Sequence, residues 1–144
     1  MFVGEYLHNI DAKGRIIIPA KFREQLGEQF VIAKGLENCL FVYPVNEWER
    51  VMDKMAALPS NQKTARALQR KFLSGASEAE PDKQGKVLIT TFHREHANLT
   101  KEVAIIGVGN RVEIWDAQNW MEYCQNDEEM SIEEAAESLE EFSF

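Results

Sequence analysis

Two short segments of the chain combine an acidic residue, a glycine and a basic residue in the same order. The first runs from Asp11 to Arg15 and the second from Asp82 to Lys86. The Asp of such a segment can accept hydrogen bonds from backbone N–H groups just ahead of it, and the Gly accepts the positive φ of a tight turn. Each segment therefore presents a cation at the start of a strand, where it can bind an anion.

The basic residues of the two turns are not chemically equal. Arg15 offers a planar fork of donors that can bracket a phosphate or the edge of a guanine, whereas Lys86 offers a point charge. A purely structural interpretation also remains open for both turns. In that interpretation the Asp caps its turn and forms an ion pair with the base that follows.

The chain does not display the residue pattern of an enzyme. His93 and His96 are spaced i, i+3, with His8 far away in the sequence, and no HExxH spacing or third metal ligand accompanies them. Phosphate-binding, nucleophile-elbow and dinucleotide-binding glycine motifs are also missing from the sequence. We therefore expect neither catalysis nor a cofactor.

The two turns belong to a longer internal repeat with an offset of 71 or 72 residues. Each copy continues with a short aliphatic run, Ile16–Ile18 or Val87–Ile89, and then with a predicted helix that ends at Gly27 or Asn98. The unbroken aliphatic runs predict strands that are buried on both faces. A strand over residues 1–10 is predicted to pair across the first turn, and a second hairpin is predicted over residues 30–43.

The charge of the chain is unevenly distributed. The net charge is −8, but residues 127–141 contain eight acidic residues and no Lys or Arg, so that residues 1–125 carry 16 acidic and 16 basic residues. Residues 12–23 and 61–73 each contain four basic residues and no acidic one. Positive potential is therefore available locally, although the chain as a whole is acidic.

Helices are predicted between the repeats and after them. Trp48 opens an amphipathic helix, and a second helix exposes the basic face of residues 61–73, which is either solvated or in contact with DNA or a neighbouring subunit. The three Trp residues are assigned to cores and interfaces. The predicted organisation is repeat 1 at 5–48, connecting helices at 49–75, repeat 2 at 76–120 and an acidic, helical or disordered tail at 121–144.

The duplicated Asp-x-x-x-basic turns that open apolar strands resemble the SpoVT-AbrB swapped-hairpin family of bacterial regulators. The likeness covers about residues 1–125, and it includes the segments 39–44 and 107–116 as well as the turns. It implies an α+β fold in which two tandem swapped-hairpin units form a pseudo-two-fold β-barrel with peripheral helices. It also implies that the turn bases Lys13, Arg15, Lys83 and Lys86 bind DNA, with Lys86 and Lys83 as the counterparts of Arg15 and Lys13.

The function implied by this resemblance is regulation of transcription. Duplicated members of the family are expected to assemble as rings on tandem promoter repeats of the division and cell-wall gene cluster, including their own promoter. The expected location is the cytoplasm and nucleoid, without a membrane anchor. The alternative is an antitoxin or interaction module that uses its acidic tail to hold a protein partner.

Overall fold

The chain passes through one series of seven secondary-structure elements twice. The computed structural model describes residues 1–126 and 130–143. The first series consists of β1 (Phe2–Asn9), β2 (Arg15–Ile17), α1 (Ala20–Leu26), β3 (Phe30–Lys34), β4 (Leu40–Pro44), α2 (Val45–Ala56) and α3 (Lys63–Ser74). The second consists of β5 (Ser77–Ala79), β6 (Lys86–Leu88), α4 (Thr91–His96), β7 (Glu102–Gly109), β8 (Val112–Asp116), α5 (Ala117–Gln125) and α6 (Ile132–Ser138). The predicted α+β class is confirmed.

The strands of the two repeats are interleaved in two antiparallel sheets. The larger sheet has the order β1-β7-β8-β4-β3-β5, and the smaller one is the two-stranded ribbon β2-β6. If each strand is exchanged for its counterpart in the other repeat, both orders stay the same. The two repeats therefore hold equivalent places in the sheets, and neither repeat has a complete sheet of its own.

The predicted pairing across the first turn is wrong. β1 pairs instead with β7, from Phe2 opposite Gly109 to Asn9 opposite Glu102, and β2 pairs with β6. The partner β7 gives all eight residues of β1 an opposing residue, whereas β2 is only three residues long. The second predicted hairpin, β3-β4, is confirmed, and the N–H of Gly35 donates to the carbonyl oxygen of Cys39 at 2.7 Å within its turn.

The expectation that the aliphatic runs are buried on both faces is also wrong. Ile16 and Val87 are buried in the core, but Ile17 and Leu88 remain 40% and 55% exposed. Side chains alternate between the two faces of a strand, and only one face of the β2-β6 ribbon packs against the core. The other face carries Arg15 and Lys86 together with these two exposed apolar residues.

The core has two parts, on opposite faces of the larger sheet. The larger part joins the ribbon to this sheet and includes Phe22, Ile16 and Ile105. The smaller part lies beneath the helices, where Trp48 stacks on Phe72 with 5.8 Å between ring centroids. Trp115 contacts Trp120 there at 5.2 Å, and the predicted role of the Trp residues in packing is confirmed.

The helices differ in how much they bury. α2 and α3 pack through Trp48 and Phe72, whereas Ile132 in α6 is 77% exposed. Residues 127–129 and 144 of the predicted tail lie outside the described residues. None of the helices in the described ranges is long and apolar enough to cross a membrane.

Candidate nucleic-acid interface

Each basic turn is organised by its Asp. Oδ1 of Asp11 accepts hydrogen bonds at 2.9 Å from the backbone N–H groups of Lys13 and Arg15. The second turn repeats this arrangement around Asp82, with distances of 2.8 and 2.9 Å. These bonds close both loops from within, so the basic residues are presented by backbone of defined shape.

The hydrogen bonds also define which residues of the two turns are equivalent. In the first turn the N–H of Lys13 donates to Asp11, and in the second turn the N–H of Gln84 donates to Asp82 in the same way. Lys83 therefore is not the structural counterpart of Lys13, although it lies in the second turn and is exposed like Lys13. The second turn keeps a lysine near its tip, displaced by one residue.

The ribbon brings the two turns together. Nε of Arg15 donates to Oδ2 of Asp11 at 2.9 Å, and its Nη1 donates to Oδ2 of Asp82 in the other turn at 3.3 Å. Nζ of Lys86 lies 3.8 Å from Oδ2 of Asp11. The predicted ion pair between the Asp of a turn and its own base is thus present in the first turn, and both bases also pair with the Asp of the other turn.

These ion pairs orient Arg15 without using all its donors. A guanidinium has five N–H groups. Arg15 uses two of them in the side-chain hydrogen bonds of the described residues, and its side chain keeps 29% of its surface exposed. A partly exposed guanidinium fixed by two carboxylates can still donate two hydrogen bonds to one ligand.

Two further arginines lie over the turns, and the sequence indicates them only indirectly. Arg94 of α4 contacts Gly14 of the first turn, and Arg23 of α1 contacts Gly85 of the second. A Cβ added to either glycine would collide with the guanidinium of the arginine above it. Nη1 of Arg94 also donates to the carbonyl oxygen of Ile89 at 2.5 Å. The in-register recurrence of Arg23 and Arg94 was the available signal, but it did not reveal that each arginine serves the other repeat's turn.

Replacing Gly14 with alanine tests this contact. Gly14 has φ +81°, and a Cβ there meets the Arg94 guanidinium. Gly27 has φ +82° and open space around its Cβ position, so Gly27→Ala is a control for backbone strain alone. Backbone strain alone should cost each variant about 1–2 kcal/mol of unfolding free energy in urea titrations. Gly14→Ala should lose more, since Arg94 must move, and equal losses would contradict a stabilising Arg94 contact.

The two turn carboxylates predict a pH dependence of stability. Hydrogen bonds from the backbone N–H groups of Arg15 and Lys86 lower the pKa of Asp11 and Asp82, respectively, below their usual 3.8. A carboxylate whose pKa is lower in the folded state stabilises the fold above its unfolded pKa, and this contribution is lost as the pH falls through the folded pKa. The double variant Asp11→Asn/Asp82→Asn should therefore have a lower urea midpoint than the wild type at neutral pH, and the gap should close in acid. A gap independent of pH would contradict a role for the charge.

The histidines are not assembled into a site. Nε2 of His93 lies 2.8 Å from the carbonyl oxygen of Gly75, and Nε2 of His96 lies 3.1 Å from that of Gly35. Both rings thus bond backbone carbonyls. Within residues 1–126 and 130–143, no three His, Cys, Asp or Glu side chains come together as ligands for a metal ion.

The fold and the site define a class of protein: a tandem-repeat α+β chain whose halves share their sheets and join two cationic turns on one exposed ribbon. The chain belongs to the MraZ family, described as "MraZ protein, putative antitoxin-like", which matches it twice, over residues 1–71 and 72–142. The two matched ranges agree with the two series of seven elements.

Named relatives resemble the chain along nearly its whole length. It is 54% identical over 143 residues to the transcriptional regulator MraZ of Caldanaerobacter subterraneus subsp. tengcongensis, with 99% of each chain covered. It is 53% identical over 142 residues to the protein of the same name from Carboxydothermus hydrogenoformans, again with 99% of each covered. The MraZ of Heliobacterium modesticaldum is 54% identical over 142 residues, with the same coverage. These relatives are named as transcriptional regulators and not as enzymes.

Proposed function

We propose that this chain is a transcriptional regulator that binds double-stranded DNA through the β2-β6 ribbon and its two turns. The observation that carries the proposal is that cations of both repeats converge on one exposed surface. A two-stranded ribbon fits the width of the DNA major groove. The names of the relatives support the regulatory role.

Within this proposal the residues have different tasks. Arg15 reads a base, because its guanidinium can donate two parallel hydrogen bonds to O6 and N7 of guanine. Lys13, Lys83 and Lys86 neutralise phosphates, for which a point charge is sufficient. The exposed Ile17 and Leu88 share the outer face of the ribbon and are placed to contact thymine methyl groups.

A single ribbon neutralises only a few phosphates, so its own binding is weak and sensitive to salt. We therefore propose that several copies assemble into a ring and engage tandem promoter repeats together. Linked contacts of this kind raise affinity by about 10²–10⁴ when the spacing matches. The proposed targets are promoters of the division and cell-wall gene cluster, where binding on the nucleoid, in the cytoplasm, regulates transcription.

The interleaved strands support a finer description of the fold. We propose that the two sheets are the wall of one pseudo-two-fold barrel built from swapped hairpins. The support is that both strand orders stay the same when each strand is exchanged for its counterpart in the other repeat. The domain limits 5–48, 49–75, 76–120 and 121–144 stay a prediction.

The regulator proposal is tested by measuring mass in solution together with binding to the DNA upstream of the chain's own gene. A labelled duplex with tandem repeats and a shuffled duplex of equal length are compared by fluorescence anisotropy over a salt series. We expect a preference for the repeats and a fall in affinity with rising salt. A single-chain mass together with equal binding of both duplexes would overturn the proposal.

An antitoxin-like module is the second candidate, favoured by the wording of the family description and by the acidic tail. In that case the tail holds a protein partner while the body holds DNA. Removing residues 126–144 separates the candidates. Specific binding of a single DNA repeat persists in the truncated chain if it is a regulator, whereas an antitoxin loses its partner.

A further inference from the structure

α3 and α6 hold the same place in the order of elements of the two repeats but carry opposite charges. Each is the seventh element of its series and follows the helix that packs on the sheet. α3 contains Lys63, Arg66, Arg70 and Lys71 and no acidic residue. α6 and the residues after it carry Glu133, Glu134, Glu137, Glu140 and Glu141 and no basic residue. The last helix of the first series is thus cationic, and the last helix of the second is anionic.

The cations of α3 are available for a partner. Within the described residues none of them forms an ion pair, and their one side-chain hydrogen bond runs from Nη1 of Arg66 to the carbonyl oxygen of Ser60. Arg70 and Lys71 are exposed. Leu68 is 47% exposed and lies one helical turn before Lys71, so an apolar contact point adjoins a positive charge on this helix.

α6 carries the complementary features. Ile132, Ala135, Ala136 and Leu139 follow helical spacing along one face, and Ile132 and Leu139 are 77% and 61% exposed. In the described part of the chain no carboxylate of α6 forms an ion pair. An amphipathic helix that buries so little of its apolar face gains most of its stability from a surface on which it packs.

We propose that α6 of one copy docks on α3 of the next copy and that this contact joins the subunits of the assembly. The inference rests on the proposed oligomer, to which it gives a specific interface. Leu68 packs against Ile132 and Leu139, while the carboxylates of α6 flank the cations of α3. Two different surfaces of one chain meet in this contact, and such a head-to-tail contact closes into a ring when its rotation permits.

Charge also favours a second copy over DNA as the partner of α3. The acidic tail is offered by every copy at the same concentration as α3, and it would repel the phosphates of any DNA that approached the same surface. An interface held partly by exposed charges weakens with salt, so we expect the assembly to dissociate as ionic strength rises.

Paired charge reversals test the contact in the full chain. The first variant is Arg70→Glu/Lys71→Glu in α3, and the second is Glu137→Lys/Glu140→Lys in α6. Each variant alone sets like charges against one another, so its mass in analytical ultracentrifugation should fall to that of one chain. In an equimolar mixture, each contact between the two variants joins opposite charges again, so the mixture should form multimers that neither variant forms alone.

The control is Glu49→Lys/Asp53→Lys, which reverses two exposed charges of α2 and should keep the wild-type mass. If the wild type is a multimer and both charge-reversal variants keep its mass, the docking is overturned, while the DNA proposal would stand. This result would also be expected if α6 packed on α3 of its own chain. Lower DNA affinity of the α3 variant at unchanged mass would assign α3 to DNA and also overturn it. A wild-type chain of single mass would overturn both the docking and the ring.

Discussion

Replacing Arg15 with alanine should weaken binding to a single operator repeat by about 1–3 kcal/mol, which is about 5- to 150-fold. The guanidinium is the one group of the ribbon that can make a bidentate contact with a base, and the two Asp side chains fix its orientation. Its ion pairs lie at the surface, where such pairs add little to stability. We therefore expect the melting temperature and the mass of the assembly to change little. Fluorescence anisotropy with a one-repeat duplex measures the loss, and on tandem repeats the effect should multiply.

Arg50→Ala is the matched control for this variant. Arg50 also forms a surface ion pair with a residue nearby in sequence, with Nη1 3.4 Å from Oε1 of Glu47, but it lies on α2. Its removal takes away the same charge and should leave discrimination between operator and shuffled DNA unchanged. If Arg15→Ala binds the operator as well as the wild type does, Arg15 is not part of the interface.

Replacing Phe22 with alanine should have the largest effect on folding, a loss of about 3–5 kcal/mol of unfolding free energy. Phe22 is 1% exposed, and its ring meets those of Phe2 and Tyr6 edge-on at 5.8 and 5.3 Å. The cavity would lie under α1, which also carries Arg23 to the second turn. Urea titration followed by far-ultraviolet circular dichroism measures the loss.

Phe92→Ala provides the comparison on the neighbouring helix α4. Phe92 is 52% exposed, and its ring centroid lies 4.1 Å from Nζ of Lys34 and 5.7 Å from the ring centroid of His93. Its loss should cost less than about 1 kcal/mol. Similar losses in the two variants would contradict the assignment of Phe22 to the core.

The parts of the fold set by local sequence were predictable. Single residues specify the two turns, through their Asp and Gly, and the end of α1, through Gly27. A single residue also specifies the start of α4, where the side chain of Thr90 accepts a hydrogen bond from the N–H of His93. The recurrence of the whole pattern also predicted two equivalent units. These features depend on contacts between residues close together in the chain.

The partners of the strands were not predictable in the same way. β2 follows β1 directly in the chain, but β1 pairs with β7 of the other repeat, and no local signal in these segments specifies so distant a partner. The pairing of β2 with β6 leaves Ile17 and Leu88 exposed beside Arg15 and Lys86, although an aliphatic run normally indicates burial. The contact of each arginine with the other repeat's glycine is also a product of this interleaving.

The pairing of β1 with β7 has a consequence for how the chain folds during its synthesis. β1 ends at Asn9 and β7 begins at Glu102, so β1 has no partner until the 93 residues up to the start of β7 have been synthesised. Contacts between such distant parts of a chain slow folding, and an unpaired strand invites aggregation in the interval. The N-terminal half therefore cannot complete its fold while the chain is being synthesised. The two halves must pair their strands after most of the polypeptide has left the ribosome.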